Sequence, residues 1–200
     1  ETVYGLAADA TNGAAVEQIF KAKGRPQDNP LIVHISSYEQ LAQLVSYIPQ
    51  HAKRLMETFW PGPLTVILPK SNLIPDQVSA GLPTVAVRFP SHPVARAVIQ
   101  EAGVPLAAPS ANVSGSPSPT AAAHVLHDLD GKIDAVIDGG PCTVGLESTV
   151  ITLAEETPVL LRPGAVTLEQ LQQVLGTVKM ADAVLHQLEQ GSVAASPGMK

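Results

Sequence analysis

Apolar residues recur three and four positions apart in some stretches of the chain and crowd into short β-branched runs in others, and the two patterns alternate. Val16, Ile19 and Phe20, placed after the cap candidate Asn12, predict a helix over 14–23 that breaks at Gly24 and Pro26. The β-branched run 31–35 predicts a strand, and Ser37 with Gln40 three positions later forms a capping box for the next helix. Pro49 opens another helix towards Thr58, and the rigid turn Phe59-Trp60-Pro61-Gly62-Pro63 delivers a strand over 64–68. Residues 84–89 alternate as a strand, Ser91 reads as the cap of a helix that Gly103 closes, and 105–108 reads as the next strand. Thr120 reads as the cap of a helix to Leu129, strands follow over 133–137, 149–153 and 158–161, and Gly176 stops a helix over 168–175.

Strands and helices mixed without strict βαβ alternation predict an α/β class: a twisted, mixed open sheet with helices packed on it, rather than a doubly wound nucleotide fold. Beyond Gly176 the pattern weakens, with one helical piece over 181–188, and 176–200 reads as a linker segment. The 200 residues are 45% hydrophobic and 15% charged. An average globular protein has about 25% charged residues, so one domain can bury a sizeable core here. The single cysteine, Cys142, excludes an internal disulfide framework and fits a reducing compartment or indifference to redox state, with the cytoplasm as the default. No apolar run approaches the roughly 20 residues that span a bilayer, so no membrane is expected as a partner. A net charge of −6 argues against a generally basic, nucleic-acid-coating surface.

Candidate chemistry gathers at turns and strand ends. Lys21, Lys23 and Arg25 place three cations at a helix end, and the Lys23-Gly24-Arg25-Pro26 turn suits phosphate, whereas Lys21 alone would only complement the helix dipole. Thr84, Ala86 and Arg88 share one face of their strand, with Val85 and Val87 facing a core. Arg88 is either simply solvated there or half of an anion site completed by a second arginine. Ala108, Ser110 and Asn112 share one side of a proline-stiffened segment, presenting a hydroxyl and an amide. Glu147-Ser148-Thr149 and Arg162-Pro163-Gly164 lie at strand ends. There is no G-x-S-x-G elbow, Walker A sequence or G-x-G-x-x-G, so covalent catalysis is disfavoured. His124 and His127 have no third ligand in view, and no metal-binding set of side chains is predicted.

Taken together, Thr2-Val3-Tyr4-Gly5-Leu6, Lys23-Gly24-Arg25-Pro26, Asn29-Pro30-Leu31-Ile32-Val33-His34, Trp60-Pro61-Gly62-Pro63-Leu64-Thr65, Val87-Arg88, Ala108-Pro109-Ser110-Ala111-Asn112, Ser118-Pro119-Thr120, Glu147-Ser148-Thr149 and Arg162-Pro163-Gly164 resemble the YrdC-like threonylcarbamoyl-AMP synthase family. The resemblance covers 1–175 as a catalytic domain with a concave basic pocket. Ser196-Pro197-Gly198-Met199-Lys200 is similar to the linker of the longer, two-domain members, whose C-terminal domain is not among these residues, nor is the strand that precedes Thr2 in the family.

The resemblance implies condensation of L-threonine, bicarbonate or CO2, and ATP into threonylcarbamoyl-adenylate and pyrophosphate, feeding N6-threonylcarbamoyladenosine at position 37 of tRNA. It implies that Lys23 and Arg25 bind the triphosphate and act in catalysis. Asn29, Thr84, Ser110, Asn112 and Ser118 would complete the ATP site, with Arg162 and Ser196 closing over it. Thr2, His34, Arg88, the backbone at Ala108, and Ser148 would hold threonine. Mg²⁺ is expected on the phosphates, and tRNA or a downstream transfer machinery is the implied partner. Loss of Arg25 or Arg88 is expected to abolish most adenylate formation and leave the protein folded. The competing reading is a module that binds double-stranded RNA or tRNA through phosphates without chemistry.

Overall fold

The computed structural model describes residues 1–189, except for the side chains of 186–189. Among the described residues the elements run β1 (Ala8–Asp9), α1 (Gly13–Lys23), β2 (Ile32–His34), α2 (Tyr38–Leu44), α3 (Gln50–Phe59), β3 (Leu64–Pro69), α4 (Asp76–Ser79) and β4 (Thr84–Arg88). They continue with α5 (Pro93–Ala102), β5 (Leu106–Ala107), α6 (Ala122–Leu129), β6 (Thr149–Thr152), β7 (Val159–Arg162), α7 (Leu168–Leu175), β8 (Lys179–Met180) and α8 (Asp182–Glu189). The strands form one sheet in the order β1-β5-β2-β4-β3-β6-β7-β8. Its pairs β2/β4, β3/β6 and β7/β8 are parallel and the others antiparallel, which is the mixed open sheet expected.

Residues paired across neighbouring strands point to the same side of a sheet, so register sorts side chains by face. One row runs Ala107, Val33, Val87, Val66, Ile151, Leu160 over six strands. Every member is buried, and the row joins Phe20 of α1, Leu41 of α2, Leu55 of α3 and Leu171 of α7 in the main core. The valines of β4 therefore face the core, as their alternation predicts.

Local signals explain most helix ends. Asn12 caps α1 by accepting from the Ala15 amide at 3.2 Å, and Gly24 ends it with φ 60°, a backbone that costs glycine no side-chain clash. Ser37 caps α2 by accepting from the Gln40 amide, and Gln40 Oε1 accepts from the Ser36 amide one residue before the cap. Two expected caps are replaced. Helix α5 starts after His92 with Pro93 at its first position, and the amides of Ser91 and His92 are both donated to the Glu1 carboxylate. Helix α6 has Ala121 at its cap; the Thr120 amide donates instead to His124 Nδ1 at 3.3 Å, and its carbonyl accepts from Cys142.

The strand expected over 133–137 does not form. Val136 and Ile137 are adjacent apolar residues, which breaks a two-residue period, and Ile133 and Val136 pack three apart on a small cluster of Ala111, Val125 and Leu129. The segment ends where the Tyr4 hydroxyl, 2.7 Å from the Gly140 carbonyl, also accepts from the Gly139 amide. Residues 179–180, inside the stretch read as linker, form β8 on the edge of the sheet, and Val178 and Val184 are buried.

Candidate active site

The row opposite the core row carries the chemistry. Register aligns Leu106, His34, Arg88, Thr65, Val150 and Arg162 across β5, β2, β4, β3, β6 and β7. With strands about 4.8 Å apart, His34 and Arg162 stand about 19 Å apart along one line. That suits an extended ligand better than a single ion. Arg162 reaches this face through a bulge: Ile151 pairs with Leu160 but Val150 pairs with Arg162, so Leu161 is the extra residue. Without the bulge, Arg162 would share the core side with Leu160.

Arg88 is 5% exposed, and each of its three nitrogens makes one hydrogen bond. Its Nε donates to the Gly62 carbonyl at 3.2 Å, Nη1 to Thr2 Oγ1 at 2.7 Å, and Nη2 to Glu1 Oε1. Burial alone would raise the Glu1 carboxyl, but the Arg88 cation and the Ser91 amide hold it below the ordinary range. The Gly62 amide also donates to the Phe89 carbonyl at 2.8 Å, so this glycine grips the end of β4 twice. A Cβ on Gly62 would lie 2.4 Å from the Phe59 carbonyl oxygen. Gly62→Ala is therefore expected to destabilise by about 1–3 kcal/mol, read as a lower urea midpoint at unchanged slope.

His34 pairs in register with Arg88, and its Nδ1 lies 3.2 Å from the Ile32 carbonyl, which also accepts from the Ala108 amide at 2.9 Å. An N–H donated there leaves Nε2 as an acceptor. Burial, reinforced by the neighbouring Arg88 cation, lowers the ring to about 3, so it is neutral at physiological pH. The amide of Ala108, whose backbone is expected to hold threonine, is thus committed to the sheet, which leaves its carbonyl as the backbone group for that role. Its side chain lines a cavity of about 680 Å³ together with Thr2, His34, Arg88 and Cys142.

Ser148, 3% exposed, links the two expected subsites. Its hydroxyl is 2.7 Å from Thr65 Oγ1 and accepts from Arg162 Nη2 at 2.9 Å, while its carbonyl accepts from Arg162 Nε at 2.8 Å. Burial, with repulsion from Arg88 and Arg25 added, lowers the Arg162 guanidinium to about 10, and Glu147 opposes the shift. Arg25, Arg88 and Arg162 therefore share one electrostatic neighbourhood.

Lys23, the last residue of α1, is 2% exposed. Its Nζ donates to the carbonyls of Ser110 and Asn112, the latter at 2.5 Å. Burial and the Arg25 cation lower it to about 8. Lys23 thus fastens the 110–112 segment as well as supplying charge. Arg25 Nη2 makes long contacts of 3.4 and 3.3 Å to the carbonyls of Asn29 and Pro30, and its buried Nε has no hydrogen-bond partner. It is the backbone of Asn29, not its amide, that meets Arg25.

The other expected residues divide between places. Thr84 lies four residues before Arg88, about 13 Å along β4, and the β2/β4 register sets it level with Pro30, at the Arg25 end. Asn112 turns its Nδ2 inward to the carbonyls of Val113 and Ser116, leaving Oδ1 buried without a partner. Ser118 donates its hydroxyl to Glu147 Oε1. Ser196 lies outside the described residues. Residues missed by sequence reasoning are Thr65, Glu1 and Glu147. Thr65 carried a signal, a lone hydroxyl inside the apolar run Leu64 to Leu68, and Glu147 stood in the Glu147-Ser148-Thr149 motif without being given a role; nothing marked Glu1.

An open α/β sheet whose row opposite the core carries two arginines, a neutral histidine and a buried hydroxyl pair has the charge and donors that suit an anionic ligand. The Sua5/YciO/YrdC family model, described as telomere recombination, matches residues 1–164, and the chain belongs to this family. It is 55% identical over its full length to the threonylcarbamoyl-AMP synthase of Bacillus subtilis, covering 57% of that protein. Sua5 of Pyrococcus abyssi, solved in complex with L-threonine, superposes with a TM-score of 0.93 at 53% identity, over the whole chain and 58% of that protein. YciO of E. coli matches with a TM-score of 0.73 at 26% identity, over 82% of this chain and 80% of that one. The chain thus spans little more than half the length of the first two. No helix among the described residues is long and apolar enough to cross a membrane.

Proposed function

We propose that this chain forms the catalytic part of an L-threonylcarbamoyladenylate synthase, condensing L-threonine, bicarbonate or CO2, and ATP into threonylcarbamoyl-AMP and pyrophosphate. The observation that carries the reading is that Arg88 and Arg162 stand in one register row with a neutral His34, while Arg25 lies within electrostatic reach of both Arg162 and Lys23. Threonine would sit at the Arg88 end, its carboxylate using the guanidinium N–H groups not spent on Glu1, Thr2 and Gly62. His34 Nε2 would accept from the threonine hydroxyl or amine. A ring held near pKa 3 is a poor general base, so its role is orientation.

The threonine amine adds to CO2 and loses a proton, and a carbamate oxygen then attacks the α-phosphorus of ATP. The bond from that phosphorus to the bridging oxygen breaks, and pyrophosphate leaves with the electron pair. The chain's contribution is alignment and charge stabilisation by Lys23, Arg25 and Arg162, with Thr84, Ser110, Asn112 and Ser118 completing the nucleotide subsite. Asn29 serves through its carbonyl under Arg25, Ser148 fixes Arg162, and Ser196 belongs to the reading as a closing residue. Mg²⁺ enters as part of the substrate, on phosphate oxygens and water, as suits a subsite of cations and hydroxyls. The adenylate then passes to a tRNA-modifying transfer machinery in the cytoplasm.

Pyrophosphate release measured with each substrate omitted in turn tests the reading: release should need threonine, bicarbonate and ATP together. Release without threonine would refute it, and salt-sensitive RNA binding with no turnover would favour a binding module. The pH dependence follows from Lys23. Its ammonium is present below about pH 8 and lost above, whereas the neutral amine still has protons for both carbonyls. Equilibrium ATP affinity is therefore expected to fall as pH rises from 7.5 to 9.5. No histidine step should appear near 6.5, because His34 stays neutral throughout.

A further inference from the structure

We propose that Thr65 is a positioning residue of the reaction: by donating its hydroxyl proton to Ser148 Oγ, it fixes the Ser148 hydroxyl as a donor aimed at a carboxylate-type oxygen of the amino-acid substrate. The inference rests on the synthase reading above and adds a residue to it. Two hydroxyl oxygens 2.7 Å apart share one of their two protons. The second proton has no acceptor among the described residues, since Arg162 Nη2 meets Ser148 Oγ as a donor, at 2.9 Å. Burial decides which hydroxyl keeps it. Thr65 is 0% exposed, and its hydroxyl meets Ser148 Oγ and no other polar group among the described residues. A Thr65 proton turned away from Ser148 would be stranded, with the full penalty of an unsatisfied buried donor. The spare proton therefore belongs to Ser148.

Geometry then fixes its direction. A hydroxyl oxygen has two lone pairs and one proton. Arg162 Nη2 and Thr65 occupy both lone pairs of Ser148 Oγ, so its O–H has a single direction left and cannot turn. Register sets the place of the pair: Thr65 pairs with Arg88 on one side and Val150 on the other, and Val150 pairs with Arg162. The spare proton thus stands between the guanidinium assigned to threonine and the one assigned to the nucleotide. In the synthase reading that interval holds the threonine carboxylate and the carbamate built on its amine, and both offer an anionic oxygen as acceptor. A donor oriented before substrate arrives needs no reorganisation when charge builds on that oxygen.

Thr65→Val tests this, because valine suits a strand and removes only the hydroxyl. In pyrophosphate release by the whole chain with threonine, bicarbonate and ATP, its kcat/KM for threonine should fall about tenfold, with the KM for ATP unchanged. Thr65→Ser, which keeps the hydroxyl, should restore turnover close to that of the parent. Adding Thr65→Val to Ser148→Ala should bring no further loss, since no hydroxyl is left to orient, whereas a structural role would slow Thr65→Val in both backgrounds. Calorimetric titration with L-threonine alone separates the two oxygens: weaker binding by Thr65→Val assigns the proton to the carboxylate, and unchanged binding with slower turnover assigns it to the carbamate. Parent-like turnover and threonine binding in Thr65→Val, equal losses in Thr65→Val and Thr65→Ser, or additive losses with Ser148→Ala overturn the inference while leaving the synthase reading standing. A parent chain that binds no threonine and releases no pyrophosphate with all three substrates present removes both.

Discussion

Arg88→Ala is expected to remove threonine-dependent adenylate formation and also to lower stability sharply. The sequence expectation was a folded but inactive protein. The structure changes the second half, because the Arg88 and Glu1 side chains are 6% and 10% exposed and form an ion pair. Removing one member of a buried pair leaves the other charge uncompensated, typically a loss of about 3–5 kcal/mol. The Ser91 and His92 amides and partial exposure relieve some of this for Glu1, so the lower end applies. The loss should be specific to charge. Arg88→Met combined with Glu1→Gln keeps the volume, removes both charges and leaves an amide oxygen for the two N–H donors. The double variant should recover most of the urea midpoint. It should not recover catalysis, since a methionine offers threonine's carboxylate no donor, and one lost preorganised donor costs about 10²- to 10³-fold in rate. Recovery of pyrophosphate release along with stability would show that Arg88 only supports the fold.

The contrast between Arg88 and its strand mates shows what a sequence can carry. Alternation alone assigned Val85 and Val87 to the core and Arg88 to the other face, because the period of a strand is a local property. What it could not supply was the row: that Arg88 shares a line with His34, Thr65 and Arg162 depends on pairings between residues up to 85 apart in sequence, as from Thr65 to Val150. The motif resemblance bridged that gap for residues lying inside motifs. It gave no warning that the Ala108 amide is used by Ile32, or that Asn112 spends its Nδ2 on its own turn. Those are competitions for single protons, decided by tertiary neighbours. Caps failed for the same reason at Ser91 and Thr120. A nearby carboxylate took the amides at one, and a histidine ring and the Cys142 amide took the groups at the other.

Arg25→Ala is expected to behave in the opposite way to Arg88→Ala, losing activity at almost no cost in stability. Its carbonyl contacts are long, its buried Nε is unpartnered, and the nearby Asp28 carboxylate opposes the effect of burial without reversing it. Burial works against the charge, so its pKa is lowered. A cation held dry with incomplete hydrogen bonding contributes little to folding and gains from its removal. The same features suit a transition state in which negative charge builds on the leaving pyrophosphate, because a donor already oriented needs no reorganisation. Arg25→Ala should therefore unfold within about 1 kcal/mol of the parent while pyrophosphate release falls about 10²- to 10³-fold. Arg25→Lys should restore little, since an ammonium cannot reproduce the planar fork. A variant that keeps near-parent turnover would remove Arg25 from the reaction, and one that unfolds by several kcal/mol would make it a structural residue of the α1–β2 turn.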